Sequence, residues 1–351
     1  MIPETMKAIV VTEPYHAEVK ELSTPVPAEG EVLVRVEQCL ICTWEQRIFT
    51  GGDVALPFVP GHEISGTVAA LGPNTIANVQ VGDRVVVKTF DSCGQCEQCY
   101  RGHDNECTGK AKKRSYDGIP GTGGFAQYLA IGSERVYPLP DPNADLATAA
   151  FAEPLACCLG SLEQGGVEFG EDVVIVGGGI MGQLHNVLCK KRGARTILVE
   201  PDAARREMAQ KMGADVVIDP KACDPIQTIR DLTGGRGAHV CFYTVNVLSL
   251  AQDYLEALAK RGRMVYYGSF HPSGPIQIDP NQIHYSEKRI TGSYSPTAKN
   301  FWTAARLLGY HLVDVAPFIT ERYDLADCQK AFERASSPET YRVLIDLSRN
   351  G

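Results

Sequence analysis

The chain has 351 residues, 44% hydrophobic and 22% charged, with a formal net charge of −8. That length exceeds the size at which a single core usually keeps growing and predicts two domains, while the acidic balance excludes a general binder of nucleic acid or acidic membranes. No window approaches the roughly 20 apolar residues of a bilayer span, and the start "MIPETMKAIVV" lacks a basic region followed by an apolar run and a cleavage site, so a cytoplasmic protein is expected.

The first 150 or so residues read as mostly β. Short β-branched runs at 7–11, 31–36, 64–71 and 83–88 are separated by turn-rich segments such as "PVPAEG" and "LGPNT". Two of the segments between them carry chemistry: "CLICTWEQ" with Cys42, and "PGHEISG" with His62 and Glu63. Then comes "DSCGQCEQCYRGHDNECTG", which places Cys93, Cys96, Cys99 and Cys107 at C-x2-C-x2-C-x7-C. In a reducing compartment such a cluster reads as four thiolates around one tetrahedral Zn2+, a structural site closed to substrate. The basic run Lys110, Lys112, Lys113, Arg114 beside it reads as a solvated loop face.

After "VYPLPDPNADLATAA" strands and helices alternate, which predicts a parallel sheet covered by helices. "FAEPLACCLG" contributes Glu153, with Cys157 and Cys158 expected to pack as small apolar residues. A cysteine, a histidine and a carboxylate from separate segments can make a second zinc site that keeps one position open. Zinc there polarises an alcohol so that its carbinol hydrogen leaves as hydride. In "VVIVGGGIMG", Gly177, Gly179 and Gly182 fill G-x-G-x-x-G between an apolar strand and an amphipathic helix, and Ile180 and Met181 open that helix. This is a dinucleotide turn, with the pyrophosphate at the helix N-terminus. Glu200 ends the next strand, 18 residues past Gly182, where a carboxylate accepts from the ribose hydroxyls and repels a 2′-phosphate; NAD is therefore expected ahead of NADP, although Arg205 and Arg206 follow closely. Thr244 and Val245, at the end of the fourth strand of that sheet, and Gly268 and Ser269, after the next, are placed beside the nicotinamide. The histidines outside these motifs receive no chemistry.

"GHEISGTV", the four-cysteine knuckle, "GGFAQYLAI", "AEPLACCL", "VVIVGGGIMG" and "ITGSYS" together resemble the zinc-dependent medium-chain dehydrogenases, especially their polyol (sorbitol-like) and threonine dehydrogenase branch. The resemblance runs over essentially the whole chain. It implies an α/β protein with a discontinuous GroES-like β-barrel catalytic domain, 1–152 and 294–351, and a Rossmann nucleotide-binding domain, 153–293. It also implies two zinc ions per chain, NAD, a small-molecule polyol or sugar-alcohol substrate, and a homodimer or homotetramer, with no nucleic acid or membrane partner. Cys42, His62 and a glutamate hold the catalytic zinc in this reading, Glu153 and Glu63 competing as the third ligand.

Two departures from the family pattern bear on substrate. Trp44 stands where the family carries a relay serine or threonine, which leaves Thr43, a water or Glu45 to move the alcohol proton. Arg47 stands where a relay histidine is common; it cannot act as a base, and either anchors an anionic or hydroxyl-rich substrate or forms a surface ion pair. Trp44 offers a flat face for the C–H side of a sugar, or fills the core. The alternatives are a threonine or amino-alcohol dehydrogenase, a zinc-free NADPH reductase of the same fold, a zinc-knuckle nucleic-acid binder, and a catalytically inactive NAD-binding relative.

Overall fold

The computed structural model describes residues 1–109 and 114–349. Lys110, Lys112 and Lys113 of the basic run lie outside the described residues. The chain divides into two compact units, Met1–Ala156 with Pro296–Gly351, and Cys157–Ser295. The expected borders fall four and two residues earlier, because the helix Ala152–Gly165 runs unbroken through the first of them. No described helix is long and apolar enough to cross a membrane.

The first unit is built on a seven-stranded sheet. Along its path the order is 319–324, 342–346, 31–41, 63–71, 84–87, 136–138, and strand 128–132 pairs additionally with 31–41. A hairpin, Thr5–Glu13 with His16–Ser23, packs beside it. The strand Glu31–Ile41 buries Val32, Val34 and Val36, the period of two that puts alternate side chains on one face. The chain's last strand, Arg342–Asp346, lies inside this sheet and pairs antiparallel with 31–41, Val343 opposite Ile41. Leu40 in turn stands opposite Glu63. The ends of three neighbouring strands therefore bring Arg342, Cys42 and Glu63 together.

The second unit holds a six-stranded sheet, every pair parallel, in the order 216–218, 195–199, 172–176, 238–243, 258–266, 289–292. Counted along the chain this is 3-2-1-4-5-6, the doubly wound order in which ligands bind at the carboxyl ends of strands where the order reverses. Strand Asp172–Val176 is buried throughout, as a central parallel strand must be. His185 is buried on the helix Ile180–Lys191, its Nδ1 2.7 Å from the carbonyl of Met181 and its Nε2 2.8 Å from Ser161 Oγ. Burial pulls its pKa down to about 4, so it stays neutral and serves packing, alongside buried Cys158.

Candidate active site and zinc knuckle

Cys42 caps the short helix Thr43–Phe49, and Glu45 at its third position reaches back to accept from the Cys42 N–H at 3.1 Å. The same carboxylate, fully buried, accepts from the Gly61 N–H at 3.2 Å and lies 2.6 Å from His62 Nδ1. An ionised carboxylate only accepts, so Nδ1 carries a proton toward Glu45, and Nε2 is the nitrogen at which a metal would replace the other ring proton. Burial opposes a charge on His62, but the Glu45 carboxylate outweighs it and raises the ring's pKa well above the usual histidine range. Glycine at 61 lets the strand carrying His62 come this close to its neighbour: its φ is +102°, and a Cβ there would sit 2.6 Å from the Phe125 backbone nitrogen.

The ligand atoms of Cys42, His62 and Glu63 all lie within 4.8 Å of one another. Glu153 Oε2 stands 4.0 Å from His62 Nε2, the nitrogen that Glu45 leaves open. Sulfur, imidazole and carboxylate are the donor set of a catalytic zinc, and the partly accessible Cys42 leaves the cluster open on one side, so these residues fit the metal. Burial raises the Cys42 thiol while the Arg342 guanidinium works against it. Arg342 is the residue missed by sequence reasoning. It is buried and grips Glu63 with a fork, Nε to Oε2 at 2.9 Å and Nη2 to Oε1 at 2.8 Å, with Nη2 also 3.5 Å from Cys42 Sγ. No motif marks it; only the strand register reveals it.

The His62 ring is flanked by two aromatic rings, Trp44 with centroids 5.5 Å away and edge-on, and Phe90 at 6.0 Å. Trp44 also meets Phe58 and packs against the core, so core filling is one of its roles. Phe90 too was absent from the sequence reading. Of the relay candidates, Glu45 is fully buried behind the histidine with its oxygens on Cys42, Gly61 and His62, and the neighbouring Thr43 is exposed. Arg47 Nε donates to Asp53 Oδ2 at 2.6 Å, the ion pair weighed from the sequence against substrate anchoring. Replacing Glu45 by alanine is expected to weaken metal binding at this site by about 10–100-fold, as loss of a buried partner behind a ligating histidine does; competition with a chelator measures it.

Cys93, Cys96, Cys99 and Cys107 bring their sulfur atoms within 4.8 Å of one another, with no disulfide among them. Cys96 Sγ and Cys107 Sγ are 3.9 Å apart, close to the ~3.8 Å edge of a tetrahedron with Zn–S bonds of about 2.3 Å. Cys107 Sγ accepts from the N–H groups of Cys93 at 3.2 Å and Gly109 at 3.3 Å. Backbone N–H donors, Cys99 first and Thr108 next, draw the Cys96 thiol down to about 5. The cluster fits a tetrathiolate zinc. Two aspartates root this loop. Asp91 is clamped by Arg114 and Arg135, so Arg114 is an internal anchor rather than part of a solvated face. Asp104 binds the ammonium of buried Lys88 and accepts from the Ala298 N–H at 2.9 Å, at the start of the helix Ala298–Gly309.

In the second unit the glycine turn follows strand 172–176 directly. A Cβ on Gly182 would sit 1.8 Å from the Gly177 carbonyl oxygen, so only glycine lets the helix begin so close to the strand. Glu200 is buried at the next strand end; its Oε2 accepts from the Gly178 N–H at 2.6 Å and its Oε1 from the Asp202 N–H at 2.8 Å. Arg206 is committed elsewhere, to the Glu200 carbonyl at 2.9 Å and Asp219 at 3.0 Å. Arg205 stands near Gly179, where a Cβ would lie 3.9 Å from its Nη1. Thr244 Oγ1 donates to the Val176 carbonyl at 2.7 Å, and Val245 packs over Gly177, so both stand at the reversal point of the sheet. Gly268 N–H donates to the Tyr243 carbonyl at 3.2 Å beside them, and Ser269 is exposed.

Fold and donor set together describe a metal-bearing, nucleotide-binding protein, and comparison with known proteins narrows this. The Alcohol dehydrogenase GroES-like domain family matches residues 28–141, and the Zinc-binding dehydrogenase family matches residues 181–309. The L-threonine 3-dehydrogenase of Pyrococcus furiosus is 32% identical, over 98% of this chain and 99% of its own. The sorbitol dehydrogenase of Halalkalibacterium halodurans is 30% identical, over 97% and 99%. A Sinorhizobium meliloti 1021 structure, described as a zinc-binding dehydrogenase bound to NADP, superposes with a TM-score of 0.89 at 27% identity, covering 98% of this chain and all of that one. The chain belongs to the zinc-dependent medium-chain dehydrogenase family and is an oxidoreductase.

Proposed function

We propose that the protein oxidises, reversibly, a secondary alcohol of a polyol, sugar alcohol or related hydroxylated compound to the ketone, using NAD and a zinc ion held by Cys42, His62 and one of the carboxylates Glu63 and Glu153. It would act in the cytoplasm as a homodimer or homotetramer, with a second, structural zinc in the four-cysteine knuckle. The observation carrying this reading is the convergence of Cys42, a histidine oriented by Glu45, and Glu63 within 4.8 Å of one another, with Glu153 4.0 Å from the histidine.

Zinc held there supplies Lewis acidity to the alcohol oxygen, and a nicotinamide supplies the hydride acceptor. The chain's own residues do the rest. Glu45 fixes the tautomer and aim of His62. Glu63, whose ligand oxygen lies within 4.8 Å of those of Cys42 and His62, is held by Arg342 as a ligating carboxylate is held by an outer partner, while Glu153 Oε2 stands 4.0 Å from His62 Nε2 and competes for the same place. Trp44 and Phe90 shield the histidine from water on two sides, lowering the local dielectric and strengthening the electrostatics of the site. Trp44 presents apolar carbon suited to the C–H face of a sugar.

For the cofactor, Glu200 supports NAD: its carboxylate repels a 2′-phosphate, and Arg206 is already paired. Glu200→Ala is expected to weaken NAD binding about tenfold or more and to narrow the preference over NADP, as loss of charged hydrogen bonds implies; titration with each nucleotide reads both. A threonine-type substrate is the second reading, favoured by the Pyrococcus relative. Metal content per chain, followed by NADH formation across polyols, sugar phosphates and amino alcohols, tests the proposal. Two zincs with turnover of a polyol supports it, whereas one zinc and no turnover on any compound would make this chain an inactive nucleotide-binding relative.

A further inference from the structure

Phe90 reverses the usual order of burial. Its neighbours Lys88 and Thr89 are buried, at 2% and 3% exposure, while the phenylalanine is 40% exposed. A large apolar side chain left open among buried polar ones marks a surface that something covers. The ring stands beside His62, with centroids 6.0 Å apart and planes at 64°, so a molecule seated at the histidine would lie against it.

A ring this exposed, just past the short strand Arg84–Val87, cannot fix its own direction by burial. One guanidinium fixes its backbone from both sides. Arg114 Nη2 donates to the Thr89 carbonyl at 2.5 Å and Nη1 to Asp91 Oδ1 at 3.3 Å, so the fork spans Phe90 from the residue before it to the residue after. Arg114 and Asp91 are largely buried, with 15% and 11% of their side chains exposed. Arg135 adds a second hold: its carbonyl accepts from the Lys88 N–H at 2.9 Å, and its guanidinium pairs with Asp91. Hydrogen bonds from supporting residues are what give a recognition side chain a defined place.

We propose that Phe90 is a specificity-determining residue of the candidate site and that Arg114 is the positioning residue that holds it there. The proposal rests on the dehydrogenase reading above and adds a preference: with the ring held beside His62, the site takes a secondary alcohol whose carbon next to the carbinol is unbranched and resists one with a branch there. Once the fork is lost the ring yields, and the preference falls.

The test compares butane-2,3-diol with 2-methylbutane-2,3-diol, which differ by one methyl group next to the carbinol, and reads the ratio of their kcat/KM values. In the wild type the unbranched diol is expected to lead by about tenfold or more, the scale of one methyl group against a pocket wall. Phe90→Ala is expected to remove most of that lead. Arg114→Met is expected to reduce it about threefold, the scale of a lost hydrogen bond, and to add nothing in the Phe90→Ala background, since a wall that is gone cannot be loosened. A merely structural role for Arg114 lowers both rates together and leaves the ratio alone. Should Arg114→Met not fold, Arg114→Lys, which cannot bridge both partners, takes its place. Fluorophenylalanine at position 90 reads the clamp without turnover: its fluorine resonance is expected to be narrow and displaced in the otherwise wild-type chain, and to move toward that of the free amino acid in the Arg114 variant. A ratio unchanged in Phe90→Ala, an Arg114 effect of equal size with and without Phe90, or a fluorine resonance unmoved by the Arg114 substitution overturns the proposal. A wild type that oxidises neither diol nor any other alcohol overturns instead the dehydrogenase reading beneath it, and the fluorine resonance still decides whether Arg114 holds Phe90.

Discussion

Cys42→Ala is expected to lower kcat by about 10³-fold or more, with nucleotide binding and folding near those of the wild type. A Lewis acid at a reacting oxygen contributes several kcal/mol, and about 4 kcal/mol corresponds to that factor. Cys42 is a half-buried helix cap whose backbone bonds with Glu45 survive the change, so the loss falls on the metal site rather than the fold. Steady-state kinetics with nucleotide titration on the same sample checks it. Alcohol oxidation persisting within tenfold of the wild type would refute the assignment of Cys42 as a ligand.

The second large effect is on stability, and it arises far from the chemistry. Asp104→Ala leaves the Lys88 ammonium buried, at 2% exposure, without its carboxylate. Breaking a buried pair in this way costs about 3–5 kcal/mol, and for a unit of this size that lowers Tm by about 6–20 °C. Lys88→Met in the same background removes the stranded charge and is expected to recover much of the loss. A thermal melt unchanged by Asp104→Ala would show that the knuckle is held by its thiolates and not by this root.

Much of this site is legible in the chain because its parts lie within short motifs. Cys42 and Glu45 share one helical turn, "PGHE" carries His62 on a glycine that must approach Phe125, and the knuckle's spacing is its own geometry. The glycine turn and Glu200 are read in the same way, since strand, turn and helix are contiguous. Arg342 is different: it meets Cys42 across 300 positions of sequence, through the register of a strand whose partners nothing local announces. Phe90 likewise faces His62 only once two strands have paired. Arg47 was ambiguous because an arginine's reach admits many partners, and the bend at Asp53 supplies the one it takes. Glu45, one of three relay candidates in the sequence, was open for the converse reason: a carboxylate one turn from a metal cysteine can face the substrate or the histidine, and the direction depends on where the histidine's segment arrives.

The inward place of strand Arg342–Asp346 also bears on how the molecule comes into being. A ribosome delivers residues in order, so the inserted unit, 157–295, is fully synthesised while the sheet around Cys42 still lacks the strand that pairs with Gln38–Ile41. Until that strand arrives, the Gln38–Ile41 end of strand 31–41 presents an unpaired edge, the kind that invites the wrong neighbour. A product cut short before it would carry Cys42, His62, Glu63 and the whole knuckle, yet not the guanidinium that pairs with Glu63. In this protein a strand translated only after the inserted unit therefore completes both the scaffold and the candidate site.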